Sequence, residues 1–253
     1  MTHIALLIPA LNEEQGLVRT ARVAQQALDQ HLVSSIHVLD GGSTDSTVEI
    51  AVSHELEVVH VGETLSYLGP VLGKGDSLFR GVHTIDADWY VFLDADLGNI
   101  NTDHIAALVT PIGKTQARFV KGGFVRIDEN GVPRQVPGGR VTEEYGRPLL
   151  RHVSPKLAEL TQPLSGQVAI EADLARSTDF VTGYGIEIAM LIDVWRLGGE
   201  SIIVEADMGE INNRWKPDDA LDVVIDDVVG AAALRGVRDD RFHTSLSVVN
   251  RQP

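Results

Sequence analysis

The sequence predicts an α/β fold: a mostly parallel, Rossmann-like sheet flanked by helices, continued by a C-terminal lobe. Three observations point there. Short apolar runs alternate with stretches of helical periodicity through the first half of the 253 residues, the order that builds right-handed crossovers. Those runs carry little polar alternation, as strands covered by helices on both faces do. Polar or acidic clusters close the first, second and fourth runs, at the edge where open parallel sheets bind ligands.

The elements follow in order. "HIALLIPA" (3–10) is apolar, ends at proline and reads as a strand. Leu17, Ala21, Ala24 and Leu28 recur at helical spacing, so a helix runs from Glu13 to about Gln30. "SIHVLD" (35–40) is the second strand, "GGSTDS" a capped turn, 47–55 a helix, and "EVVHV" (57–61) the third strand. A Gly/Pro-punctuated loop (62–75) leads to a helix from Asp76 to Ile85. "WYVFLDAD" (89–96) is the fourth strand, and Thr102 caps the next helix. In the second half, 118–127 and 201–207 read as strands, and 186–197 and 218–234 as helices. The organisation expected is a nucleotide-binding half (1–115), a second half sharing its core (116–235), and a loosely held polar tail (236–253).

Composition narrows the partners. Lys and Arg number 21 against 36 Asp and Glu, a net charge of −15. Such a surface repels phosphate backbones, so no nucleic-acid partner is expected. An anionic small molecule still suits a cleft where cations are concentrated. There is no cysteine, and no apolar stretch approaches the ~20 residues of a membrane helix. The N-terminus has no basic segment ahead of its apolar run, so no signal peptide is expected and the reading is cytoplasmic.

Four motifs carry chemistry. In "VFLDADLGN" (91–99), Asp94 and Asp96 are two residues apart. On a strand both would face one pocket. Two such carboxylates repel unless a cation compensates, and a hard divalent ion binds carboxylate oxygens together with substrate phosphates. The bland alternative is a solvated turn. In "GKGDS" (73–77), glycines around Lys74 let backbone and ammonium approach phosphate, although the spacing is not that of a P-loop. In "GGRVT" (138–142), two glycines, Arg140 and Thr142 suit a phosphate or carboxylate. In "TGYGIEIAML" (182–191), Glu187 begins a helix, where the dipole favours it; its functional reading is to hold sugar hydroxyls or steady a cationic transition state. At the second strand end, Asp40 and Gly41 join the donor side. The nine histidines show no metal-ligand spacing, and the paired aspartates at 218–219, 226–227 and 239–240 read as solvated faces or caps.

These segments resemble a known family. "IPALNEE" and "LDGGSTDST" resemble the openings of family 2-like, GT-A-fold nucleotide-sugar glycosyltransferases. In order, "GKGDSLFR", "VFLDADL", "GGRVTEEYGRPLL", "QPLSGQ" and "GYGIEIAMLID" are similar to the narrower glucosyl-3-phosphoglycerate synthase family, from about Ile4 to Arg214. The resemblance implies glucose transfer from a nucleotide sugar, UDP-glucose favoured, to 3-phospho-D-glycerate, with retention at the anomeric carbon. It implies that Pro9, Ala10, Leu11 and Glu13 hold the nucleoside, that Lys74 meets donor phosphate, and that Asp94 meets the nucleoside and sugar. Asp96 would bind the metal, Gly139, Arg140, Val141 and Thr142 the acceptor, and Glu187 would position the glucose. It further implies a homodimer. The family's metal site is completed by a histidine where this chain carries Asn213. An amide oxygen is a hard, uncharged donor, so the expectation is weaker metal binding with Mg²⁺ favoured and Mn²⁺ the alternative. The chain also lacks the family's longer N-terminal lead. Other readings are a GT-A transferase with another small anionic or lipid-phosphate acceptor, a nucleotidyltransferase, and a sugar-nucleotide-binding protein with weak or no turnover.

Overall fold

The computed structural model describes residues 2–212, 221–243 and 248–251. Its elements are β1 (Ile4–Ala10), α1 (Glu14–Asp29), β2 (Ser35–Asp40), α2 (Thr47–Ser53), β3 (Glu57–His60), α3 (Lys74–Thr84), β4 (Trp89–Phe92), α4 (Thr102–Val109) and β5 (Phe119–Ile127). They continue as α5 (Arg147–Arg151), α6 (Pro155–Glu159), β6 (Val168–Glu171), α7 (Ala172–Arg176), β7 (Phe180–Val181), α8 (Ile186–Gly198), β8 (Ile203–Asn212), α9 (Leu221–Leu234) and β9 (Asn250–Arg251).

One sheet runs through both halves, in the order β3-β2-β1-β4-β6-β5-β8. The β1–β2, β1–β4, β2–β3 and β5–β8 pairs are parallel, while β6 runs antiparallel to both β4 and β5. Every strand of this sheet but β6 therefore points the same way. Alternation along β1 builds a core on each face: Ala5 and Leu7 join α3, α8 and α9, while Leu6 and Ile8 join α1, α2 and α4. β1, β2 and β4 are buried from both sides, which is why they read as unbroken apolar runs.

Four expectations need correction. The strand carrying the aspartates ends at Phe92, so Asp94 and Asp96 lie in the turn beyond it and do not share a face by strand alternation. The third helix starts at Lys74, not Asp76, after Gly73 at φ +84°. Asn101, not Thr102, caps α4, its side chain accepting from the Asp103 and His104 N–H groups. The segment after Arg235 is not loose where it is described. Val248 is buried, β9 pairs with β7, and Arg251 reaches the buried Asp76 at 3.0 Å. The 218–219 aspartate pair and Asn213 lie outside the described residues.

Two glycine turns decide where the site falls. A Cβ on Gly75 would stand 1.8 Å from the Val181 carbonyl, and one on Gly73 would stand 3.1 Å from Gly183 Cα. The start of α3 thus lies directly on the turn that leads into α8, a closeness only glycine allows. That contact brings Lys74 and Glu187 together.

Candidate active site

A cleft of about 850 Å³ opens along the carboxyl edge of the sheet. Pro9, Ala10, Leu11, Glu13 and Gly41 line it at the ends of β1 and β2. Lys74, Asp94, Asp96 and Glu187 line its floor, and Gly139, Arg140, Val141 and Thr142 its far wall. The motifs picked from separate stretches of sequence therefore share one cavity. Asp40 does not line it. Its carboxylate, 3% exposed, accepts the Ser43 N–H at 3.0 Å and lies 3.2 Å from His60 Nδ1, so it braces the turn that presents Gly41.

The donor side is laced by hydroxyl and amide groups. Asn12, in the left-handed region at φ +56°, donates its N–H to Ser43 Oγ and accepts the Thr44 N–H. The Glu13 N–H donates to Thr47 Oγ1 at 2.8 Å. The "LNEE" and "GGSTDST" segments thus form one rim. Gly16 of α1 lies against the Asp96 backbone: a Cβ there would be 2.8 Å from Asp96 Cα. This close approach fixes where Asp96 enters the cleft.

On the floor, Lys74 Nζ donates to Asp94 Oδ1 and to Glu187 Oε1, each at 2.6 Å. Burial works against its charge, but Asp94 and then Glu187 outweigh that and hold the ammonium above the ordinary lysine range. Gln167 Nε2 donates to the other oxygen of Asp94 at 2.8 Å. Gly166 packs over the pair, with room for no side chain: a Cβ would stand 2.4 Å from Lys74 Nζ. Asp94 is thus committed to a lysine and an amide.

The far wall is built on a hairpin and a helix start. Gly139, at φ +80°, supports the Arg126 guanidinium, whose Nη1 donates to the Gly138 carbonyl at 3.2 Å. Arg140 Nε lies 3.3 Å from Glu144 Oε2, and Thr142 is buried. Arg147, a candidate for added positive field, is spent elsewhere: it pairs with Glu143 and donates to the Ala158, Leu160 and Thr161 carbonyls.

Several site groups had no motif to mark them. Lys121 of β5 is fully buried and donates to the Ser165 carbonyl beneath the floor. Burial, eased by Glu187 and worsened by Lys74, pushes it down to about 8. Arg126 and Arg134 line the cleft from a stretch that reads only as strand and loop. Asp227, half of a dismissed aspartate pair, is buried and accepts the Tyr184 N–H at 2.8 Å, fixing the turn before Glu187. Charge at a position buried by periodicity was the one signal for Lys121 and Asp227.

Among the described residues no cluster of three or more His, Cys, Asp or Glu side chains is arranged to hold a metal unaided. Asp96 supplies one hard oxygen donor on the cleft, and Asn213 lies outside the described residues. One carboxylate beside a substrate-sized cavity suits a hard divalent ion whose shell substrate phosphates complete. The donor chemistry present therefore fits such an ion.

Residues 5–156 match the model of glycosyl transferase family 2. The chain belongs to that family. The sheet carrying this family 2 site is the GT-A fold expected from the sequence. A glucosyl-3-phosphoglycerate synthase of Petrotoga mobilis is 34% identical over 209 residues, covering 81% of this chain; the chain spans 64% of that relative's length. The crystal structure of the Mycobacterium tuberculosis glucosyl-3-phosphoglycerate synthase with Mn²⁺, UDP-glucose and phosphoglyceric acid superposes with a TM-score of 0.85. It is 32% identical and covers 100% of this chain and 90% of that one. A mannosyl-3-phosphoglycerate synthase from Rubrobacter xylanophilus also superposes at 0.85, with 30% identity over 92% of this chain and 74% of its own. No helix among the described residues is long and apolar enough to cross a membrane.

Proposed function

We propose that this family 2 chain is a hexosyltransferase that moves glucose from UDP-glucose to 3-phospho-D-glycerate, releasing UDP with retention at the anomeric carbon. The observation that carries the reading is the division of one cleft into two chemistries. The Lys74–Asp94–Glu187 floor and the β1–β2 rim lie on one side, and a wall containing Arg140 on the other. The first suits a nucleotide sugar and the second a small acid. The Mycobacterium tuberculosis structure described above, with its UDP-glucose and phosphoglyceric acid, supports both assignments.

In this reading Pro9, Ala10, Leu11, Glu13 and Gly41 hold the nucleoside. Breaking the anomeric C–O bond leaves negative charge on the diphosphate. Lys74 offers a permanent positive charge toward that group while its two carboxylates keep it in place. Asp94 and Glu187 orient the sugar. Because Lys74 already engages a Glu187 oxygen, that carboxylate suits orientation better than attack. Same-face attack by the acceptor hydroxyl, with the leaving phosphate taking its proton, gives retention. Gly139, Arg140, Val141 and Thr142 hold the acceptor so that its hydroxyl meets the anomeric carbon, and orientation supplies much of the rate.

Asp96, with Asn213, would hold a divalent cation, Mg²⁺ favoured and Mn²⁺ the alternative. When bound, that ion supplies positive charge beside the diphosphate. A cytoplasmic homodimer completes the proposal, and sedimentation of the purified chain reports the dimer. The deciding experiment is an activity screen of UDP-glucose, GDP-mannose and GDP-glucose against 3-phosphoglycerate and other small acids. UDP release with UDP-glucose and 3-phosphoglycerate is expected. Pyrophosphate release, or faster transfer to another acid, would overturn the reading.

A further inference from the structure

The far wall holds two guanidinium groups that the reading above does not use. Arg126 and Arg134 face each other across the hairpin that follows β5: the Arg134 N–H donates to the Arg126 carbonyl at 2.8 Å, and Ile127 bridges to Pro133. Both line the cleft, on the same wall as Arg140. In a chain of net charge −15, three arginines on one wall are a local reversal of field.

Arg126 is held in an unusual state. Its guanidinium lies over Gly139, where any side chain would exclude it: a Cβ on Gly139 would stand 2.1 Å from Nη1. Nη1 donates to the Gly138 carbonyl, yet Nε is buried with no acceptor. A buried donor left unmade carries its full desolvation cost. Burial, and then the charge of Arg134, hold this guanidinium below its ordinary range. The carboxylate nearest by sequence, Asp128, accepts the Asn130 and Val132 N–H groups of the hairpin turn and meets the charge of Arg134, while among the described residues no carboxylate acts on Arg126 to the same effect. Two like charges side by side, one with an unmade buried donor, are what an incoming anion would relieve.

We propose that Arg126 and Arg134 form a second anion subsite beside Arg140, which takes the second anionic group of an acceptor carrying two. The proposal rests on the reading that this wall receives the acceptor. It adds a selection rule: a small acid with a phosphate at one end and a carboxylate at the other engages both subsites, whereas a monoester lacking the carboxylate engages one. The fork of Arg126 suits a planar carboxylate bidentately. Its seat on Gly139 ties the two subsites to one piece of backbone.

Calorimetric titration tests this without turnover. The wild-type chain, Arg126→Met and Arg134→Met are titrated with 3-phosphoglycerate, glycerol 3-phosphate and UDP. In each variant the Kd for 3-phosphoglycerate is expected to rise at least tenfold, that for glycerol 3-phosphate less than threefold, and that for UDP not at all. Equal weakening of the two acids, or no change for either, overturns the proposal, as does a wild-type chain that binds neither. Unchanged UDP binding reports that a variant is folded; if Arg126→Met fails that control through the loss of its Gly138 contact, Arg134→Met decides. Selective binding of 3-phosphoglycerate by a wild-type chain that transfers no sugar to it would leave the subsite standing and sink the transferase reading, so the two fail separately.

Discussion

Lys74 and Glu187, 113 positions apart in the chain, meet at 2.6 Å on the floor of the cleft, and Asp94 meets the same ammonium at the same distance. The side chains of Asp94 and Glu187 are 24% and 12% exposed. The lysine therefore holds together two carboxylates that would otherwise repel.

Lys74→Met leaves both carboxylates without their ammonium. Breaking a buried pair from one side costs about 3–5 kcal/mol, and urea unfolding should register a loss of that order. Removing one electrostatic stabiliser also costs roughly 10²–10³ in rate. Glu187→Gln should lose less stability, because Lys74 keeps Asp94. A Lys74→Met chain as stable as wild type would show that the cluster is not held by its charge.

Lys121 gives a pH dependence of definite sign. Its folded-state value of about 8 lies below the ordinary 10.5. Below pH 8 both folded and unfolded chains carry the proton, and the folded state bears the full cost of burying it. Between pH 8 and 10.5 only the unfolded chain keeps the proton, so stability rises with pH, by up to about 1.4 kcal/mol per unit. Glu187, Lys74, Asp94 and Glu205 all act on this amine. Lys74 adds no slope in that window, because its raised value moves its loss above 10.5. Urea unfolding at pH 7.5, 8.5 and 9.5 should show wild type gaining on Lys121→Met as pH rises. A constant difference would contradict the assignment.

The central parallel strands β1, β2 and β4 are legible because both faces of each are buried, and apolar runs such as "ALLIPA" record that directly. The far half was harder. β6 is four residues long and antiparallel, too short to show a period. The cleft residues were legible wherever glycine and charge cluster in a loop. What no motif could give was their mutual commitment. The sequence points Lys74 toward phosphate, but it does not show that the contact of Gly73 with Gly183 also sets its ammonium between two carboxylates. The sequence places Asp40 on the donor side, but its carboxylate closes its own turn. Such pairings depend on tertiary approach, which local pattern does not encode.

Arg140→Ala should separate the two sides of the cleft. Arg140 is partly exposed, and its partner Glu144 is on the surface, so stability should hardly move. Acceptor KM should rise at least tenfold while UDP-glucose KM stays within about threefold, because losing one charge-assisted contact is worth about 1.5–3 kcal/mol. Equal changes in both would remove Arg140 from the acceptor wall.

Asp96→Ala should abolish divalent-cation-dependent transfer, its side chain lining the cleft, while Gly16 of α1 still holds the backbone at this position. Rates of wild type in Mg²⁺, Mn²⁺ and Co²⁺ complete the measurement. If Asn213 serves as the uncharged oxygen donor proposed above, Mg²⁺ should be favoured over softer ions. A clear preference for Mn²⁺ or Co²⁺ would count against that ligand set, and near-normal rates in Asp96→Ala would remove the metal from this position.

The tail supplies the last test. Asp76, fully buried in the first turn of α3, accepts from two arginines: Arg80 of the same helix and Arg251 of β9. Arg80 also donates to the Val61, Thr64 and Gly69 carbonyls, tying down the loop before α3. Asp76 follows Lys74 by two residues, so the tail and the cleft floor grip the same helical turn from opposite sides. Arg251→Met removes one of two cations from a buried carboxylate, and Arg80 still compensates it. The expected loss is therefore below the ~3–5 kcal/mol of a fully orphaned partner, about 2 kcal/mol by urea unfolding. Because α3 starts at Lys74, loosening this turn should also lower kcat with little change in acceptor KM. A tail that merely caps the surface predicts instead a small stability loss and unaltered kinetics, and that result would return the last residues to the loosely held segment their composition suggests.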